Sequence, residues 1–319
     1  MKFIQQAYKG ENSWWAYALT IFLLFFGWQL VGIIPLVATA FFYSEDMGEF
    51  SRAALDNFTT LGIDSNLYLI LMIFTFFSGL VFLLLGVKFI HKRKILTVLT
   101  SREKFDWSRV FFAFMVWMLI GIVSFGISYV FSPEDFVWNF KLVPFAILVV
   151  ISFLLLPLQT TMEEVLFRGY LMQGFGTWFK KGIVALILTG VIFGLLHGAN
   201  PEVEKLGWIV MIFYIGTGLL LGVFAIMDEG IELSMGFHAA NNIVAAVLAT
   251  VEWGAFQTDA LFIDISEPEL NVELFLPVLV LYPIVLFLFS KKYGWNNWKE
   301  KMFGTIYKPI ELDEDKFIA

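Results

Sequence analysis

The sequence predicts an all-α fold, a polytopic membrane helix bundle with about eight transmembrane helices. Three observations lead there. The 319-residue chain is 59% hydrophobic and only 15% charged, whereas soluble domains carry roughly 25% charged residues. Its apolar residues collect into long runs, and about 20 consecutive apolar residues suffice to cross a bilayer as helix. The charges lie between those runs, with Lys and Arg concentrated in alternate loops, as the positive-inside rule requires. Cysteine is absent, which excludes disulfides, thiolate metal sites and a cysteine nucleophile. The net charge of −7 arises in loops and the tail, and no basic patch points to nucleic acid. The expected partner is the lipid bilayer, and nothing in the pattern specifies an oligomeric state.

Lys2 and Lys9 precede the first apolar run, Trp14 to Tyr43. Ala38-Thr39-Ala40 looks like a signal-peptidase site, but a signal core is about 7 to 15 residues long. This run is far longer, so a retained span is expected, with Trp14-Trp15 at the lipid–water boundary. An acidic loop with the single Arg52 leads to span two, about Leu67 to Ile90. The basic segment that follows carries Lys88, His91, Lys92, Arg93, Lys94, Arg102, Lys104 and Arg109. It is expected to be cytoplasmic, with His91 solvated among its cations. Span three, about Val110 to Phe131, precedes the acidic Ser132-Pro133-Glu134-Asp135. Span four begins near Leu142, kinks at Pro157 and continues to about Gln173.

After a turn over Gly174 to Gly182 come span five (Ile183 to His197), span six (Trp208 to Met227) and span seven (Ile231 to Val251). The acidic loop Glu252 to Glu273 precedes span eight, about Leu274 to Phe289, whose Pro277 and Pro283 a membrane helix can accommodate. The tail from Tyr293 is amphipathic at first and then acidic. On this count both termini are cytoplasmic, and only Asp228-Glu229 disagrees in sign with its side. The chain so read divides into spans one to three (1–141), a core of spans four to seven (142–251), and an acidic loop, helix eight and tail (252–319).

Inside span four stands Thr160-Thr161-Met162-Glu163-Glu164-Val165-Leu166-Phe167-Arg168-Gly169-Tyr170. A charge near the bilayer centre costs about 2.5 to 3.5 kcal/mol on insertion scales, so it must face a partner or a wet cavity. Glu164 and Arg168 are spaced i,i+4 with the acid N-terminal, the favourable same-face arrangement. Glu163 is turned about 100° from Glu164 around the helix and need not share that arginine. One carboxylate reads as structural, the other as available for chemistry.

Of three histidines, two lie within spans. Phe193 precedes His197 by one turn; Ser234 precedes His238, and Asn242 follows it, by one turn each. At a rise of ~1.5 Å per residue, Glu163 and His197 stand ~18 and ~24 Å above the turn joining spans four and five, and His238 ~12 Å above Gly230. Two carboxylates, two imidazoles and an amide thus share a layer. A plainer account makes Glu164–Arg168 an interhelical clamp and the imidazoles hydrogen-bonding glue. That account serves for any one residue, but convergence of all of them favours a site. Amide hydrolysis needs a base for water and donors for the oxyanion. Other protease designs are missing: there is no His-Glu-x-x-His helix, no Gly-x-Ser-Gly and no pair of intramembrane aspartates. Ser234 and His238 could only mimic a serine dyad.

In order, Glu163-Glu164-x-x-x-Arg168, Phe193-x-x-x-His197 and His238-x-x-x-Asn242 resemble the three motifs of the CPBP family. These are the CAAX-protease and bacteriocin-processing (Abi) intramembrane proteases, relatives of the eukaryotic prenyl-protein endopeptidase. The resemblance covers about Leu142 to Val251. It implies that Glu163 activates a water with help from His197, and that His238 and Asn242 polarise the scissile carbonyl or bind a metal. It also implies that Glu164, Arg168 and Phe193 support the site. A divalent metal, zinc before others, would take Glu163, His197 and His238 and keep a position open for water. The expected activity is hydrolysis near the end of a membrane-associated protein or peptide. Two other readings remain open at this point: a non-catalytic immunity or scaffold protein, and a transporter using Glu163 and His197 as a proton relay. The chain shows no internal repeat, which counts against transport.

Overall fold

A computed structural model describes residues 2–251, 253, 254, 257–267 and 275–310. Helices α1 (Trp14–Tyr43), α2 (Ser65–Ile90), α3 (Trp107–Phe131), α4 (Leu142–Phe179), α5 (Gly182–Ala199) and α6 (Trp208–Asp228) are long and apolar enough to cross a bilayer. Helix α7 (Glu232–Val247) and helix α8 (Tyr282–Tyr293, entered through a π-helical turn Pro277–Leu281) are shorter. Among the described residues, therefore, six helices reach spanning length, fewer than the expected eight. In α7 the reason is its surroundings. Leu233, Phe237, Ala240, Ile243 and Ala246 are buried against protein, with α3 and α4 packed along it. A helix shielded this way does not need the ~20 apolar residues of a lipid-facing span.

Span seven was expected to run to Val251, but the helix ends at Val247 and Ala249–Val251 is a strand, β2. It lies parallel to β3 (Phe262–Asp264), which pairs antiparallel with β1 (Phe136–Trp138). Aromatic and β-branched residues such as Val137, Thr250, Phe262 and Ile263 suit such pairing, and the sheet joins the loop after α3 to the one after α7. The expected start of span eight at Leu274, much of the acidic loop before it, and the acidic end of the tail lie outside the described residues.

Helix α4 is broken as Pro157 requires. Its first segment ends at Leu154 and the second starts at Leu156, with the proline in the first turn. There the missing N–H costs nothing, whereas mid-helix the ring would strike the carbonyl four residues back. Val165–Leu171 then winds as a π-helix that carries Arg168, a widening often found at functional sites. Helices α5 and α6 cross closely at Gly190 and Gly218: a Cβ on Gly218 would fall 2.5 Å from the Gly190 carbonyl oxygen. Small residues at such crossings let membrane helices pack by contact where lipid removes the hydrophobic drive. Phe22, Phe42, Met115, Leu119, Val130 and Phe287 stay exposed on the outside of the bundle.

One end of the bundle collects the segments assigned to one side by charge. The Phe3 N–H donates to Glu229 at 2.7 Å, Ser101 N–H to the Glu229 carbonyl at 3.0 Å and Ile306 N–H to the Lys180 carbonyl at 3.0 Å. Both terminal segments therefore share an end, which requires an even number of crossings. The acidic Asp228-Glu229 pair is neutralised there: Asp228 pairs with Arg102 (2.9 Å) and Arg109, and Glu229 with Lys301 (3.1 Å). His91 corrects the sequence reading, because it is fully buried and not solvated. Its Nε2 lies 2.7 Å from the Tyr170 hydroxyl, its Nδ1 bonds the Glu11 carbonyl, and its ring meets Tyr17 edge-on. Burial pushes this imidazole down to about 4. A count of neighbouring cations cannot reveal that the N-terminal segment folds over them.

Candidate active site

Arg168 and Glu164 are completely buried, and Nη1 of Arg168 donates to Oε1 of Glu164 at 2.8 Å. Nη2 reaches α6 and donates to the Gly218 carbonyl at 3.1 Å, a contact that the close glycine crossing permits. The Phe193 ring centre lies 4.2 Å from the guanidinium carbon, within cation–π range. Glu164 Oε1 accepts a second hydrogen bond, from His238 Nδ1, at 2.8 Å. This clamp ties α4, α5, α6 and α7 together, although among the described residues Glu164 Oε2 and Arg168 Nε have no hydrogen-bond partner. An ionised carboxylate only accepts, so Nδ1 of His238 carries a proton and Nε2 is the atom turned to the site. That Nε2 stands 4.0 Å from Glu163 Oε2.

Glu163 is 8% exposed, and among the described residues no Lys or Arg forms an ion pair with it. Its Oε1 accepts from Gln159 Nε2 at 2.7 Å, and Gln159 Oε1 accepts from Asn242 Nδ2 at 3.1 Å. Asn242 Oδ1 accepts from Asn241 Nδ2 at 3.2 Å, and Asn241 Oδ1 from Trp117 Nε1 at 3.1 Å. The two adjacent glutamates thus face different partners, as their rotation on the helix implies.

His197 follows the last turn of α5. Its Nδ1 donates to the Phe193 carbonyl at 2.8 Å, which leaves Nε2 as the presented atom. The ring stacks on Tyr214 with centroids 4.6 Å apart, and the Tyr214 hydroxyl accepts from Asn200 at 3.1 Å. The Phe193 ring touches both imidazoles, with centroids 4.7 Å from His197 and 5.9 Å from His238. His197 therefore joins the layer through Phe193, and its ring makes no hydrogen bond to Glu163 or His238. Of the three donors expected for a metal, Glu163 and His238 are brought together. Among the described residues no group of three or more His, Asp or Glu side chains is placed to hold an ion. Ser234 donates to the Leu221 carbonyl at 2.9 Å, so it joins α7 to α6 and forms no dyad with His238.

Gln159, Trp117 and Tyr214 did not stand out in the sequence. Gln159 had a signal, an amide one turn before Glu163 in an apolar span, at the spacing that revealed Glu164–Arg168. Trp117 and Tyr214 had none, because their contacts are made across helices. Comparison with known proteins bears on the family of the chain. The type II CAAX prenyl endopeptidase Rce1-like family matches residues 142–244. The chain is also 32% identical over 243 residues to the uncharacterized protein YyaK of Bacillus subtilis (strain 168), across 76% of this chain and 80% of that one. The chain belongs to the Rce1-like family. No solved structure matches it. The family-matched segment runs from the start of α4 into α7 and contains Gln159, Glu163, Glu164, Arg168, Phe193, His197, His238 and Asn242. The kind of function that an Rce1-like chain supports is CAAX-type intramembrane proteolysis.

Proposed function

We propose that this protein is an intramembrane endopeptidase in which Glu163 activates the attacking water. The observation that carries this reading is the pair Glu163 Oε2 and His238 Nε2, 4.0 Å apart. The other polar atom of each is already held, by Gln159 and by Glu164. A water bonded to both at ~2.8 Å fits that gap. Glu163 takes a proton as the water oxygen bonds to the scissile carbonyl carbon, and the carbonyl π electrons move onto its oxygen. Asn242 has a second N–H beyond the one given to Gln159. That N–H donates to the oxyanion and stabilises it. Collapse breaks the C–N bond, and the proton passes from Glu163 to the leaving nitrogen. His197 assists that proton traffic from its Nε2. No step runs through a metal, because a catalytic zinc takes three protein ligands and two of the expected donors are gathered.

The substrate in this reading is a membrane-associated protein or peptide cut near its end. A helix hides its carbonyls in hydrogen bonds, so the cleaved stretch is extended, and the family's description favours a prenylated C-terminal segment over a bacteriocin leader. Matched peptides with and without a prenyl anchor, offered to the protein in liposomes, test this. The anchored peptide should be cleaved at least ~10-fold faster, one power of ten for each ~1.4 kcal/mol of partitioning energy retained. Equal rates contradict selection by the membrane. The end bearing both terminal segments faces the cytoplasm in this reading, because the Lys/Arg excess lies there. A cysteine introduced at Asp135 should be labelled by an impermeant reagent from outside the cell, and labelling only from inside reverses the orientation.

A further inference from the structure

Four hydrogen bonds join Trp117 to Glu163, and all four run in one direction. Trp117 Nε1 donates to Asn241, Asn241 Nδ2 to Asn242, Asn242 Nδ2 to Gln159 and Gln159 Nε2 to Glu163. A side-chain amide can turn end for end with little change of shape, so its orientation is set by what it faces. Both ends of this chain allow one choice. The indole N–H can only donate, and an ionised carboxylate can only accept. Turning any amide between them would bring two N–H groups or two carbonyls face to face. The consequence falls on Asn242, which must present Nδ2 toward Gln159 and Glu163, on the side where an oxyanion needs a donor.

We propose that Trp117 and Gln159 are positioning residues of the active site. Trp117 sets the polarity of the amide chain from α3, outside the segment that matches the family. Gln159 passes that polarity to Glu163 and holds Oε1, which leaves Oε2 for the water. The inference rests on the proteolytic reading of Glu163 and assigns the N-terminal helices a part in the site. Trp117 is well placed for such a role, because its ring is buried and stacked on Phe237 at 4.1 Å. A phenylalanine there keeps the stacking and loses only the N–H.

The test uses purified full-length protein, the anchored peptide and the variants Gln159→Leu, Trp117→Phe, Asn241→Leu and Trp117→Phe/Asn241→Leu. Gln159→Leu should lower kcat by ~10- to 100-fold, the scale of a hydrogen bond to a charged group, with KM nearly unchanged. Trp117→Phe should lower kcat by ~3- to 10-fold, the scale of a neutral hydrogen bond. It should add nothing once Asn241→Leu has cut the chain, since coupled positions are not additive. A purely structural role would instead move the unfolding midpoint, with additive effects on kcat. Unchanged kcat in Gln159→Leu, or an equal loss for Trp117→Phe in both backgrounds, overturns the proposal. Side-chain amide resonances in protein labelled with nitrogen-15 asparagine report on the chain without reference to activity. Trp117→Phe should shift the resonance of Asn242, which Trp117 does not bond directly, and an unmoved Asn242 resonance also overturns the proposal. If that resonance moves while wild type cleaves no anchored peptide, the chain's polarity stands and the proteolytic reading is what fails.

Discussion

Two clusters of buried charge in this molecule are wired differently. At the end of the bundle, Asp228 takes Arg102 at 2.9 Å, Arg109, and the Trp295 indole at 3.2 Å. Glu232 takes Arg102 at 3.2 Å and the Asp106 N–H at 3.4 Å. Every carboxylate there has a cation. In the interior, Glu164 has Arg168 and His238, yet the next residue, Glu163, has an amide and an imidazole 4.0 Å away. Buried charge is costly unless it is paired and hydrogen-bonded. A cluster that serves only structure closes all its pairs, and the end cluster does so. A carboxylate with one oxygen held and the other open toward an imidazole can accept a proton without first breaking an ion pair. The contrast separates charge that holds helices together from charge kept available for chemistry.

The comparison predicts how the arginines differ. Arg168→Ala leaves Glu164 buried without its counter-charge and should cost about 3 to 5 kcal/mol, the loss expected on breaking a buried pair. Arg102→Ala should cost less, about 1 to 2 kcal/mol. Glu232 loses its cation too, but the Arg102 side chain is 24% exposed, so water can enter beside Glu232, and Arg109 still holds Asp228. Reversible unfolding in mixed micelles measures both. Equal losses would break the comparison, because the end cluster would then be as sealed from water as the site.

What the sequence disclosed was local. Spans follow from the length of apolar runs, the break in α4 from Pro157, and the Glu164–Arg168 pair from i,i+4 spacing. The separation of Glu163 from that arginine follows from one step of helical rotation. The rest depends on contacts that no local pattern encodes. Depth arithmetic placed His197 in the layer but could not fix rotation about the helix axes, and the Phe193 ring stands between it and His238. The early end of α7 depends on strands from two distant loops, and the burial of His91 depends on the N-terminal segment closing over it. The amide chain needs α3, α4 and α7 at once, so Trp117 read only as another aromatic in an apolar run.

The most direct measurement of this account compares Glu163→Gln with Glu164→Gln, reading hydrolysis of an anchored peptide and the unfolding midpoint on the same preparations. Glu163→Gln removes a base and breaks no ion pair. It should lose at least ~100-fold in turnover, the low end of what a general base contributes, while its midpoint stays at the wild-type value. Glu164→Gln should lower the midpoint, because Arg168 loses its counter-charge. Wild-type turnover in Glu163→Gln, or a fall in its midpoint as large as that of Glu164→Gln, would contradict the division of labour between the two glutamates.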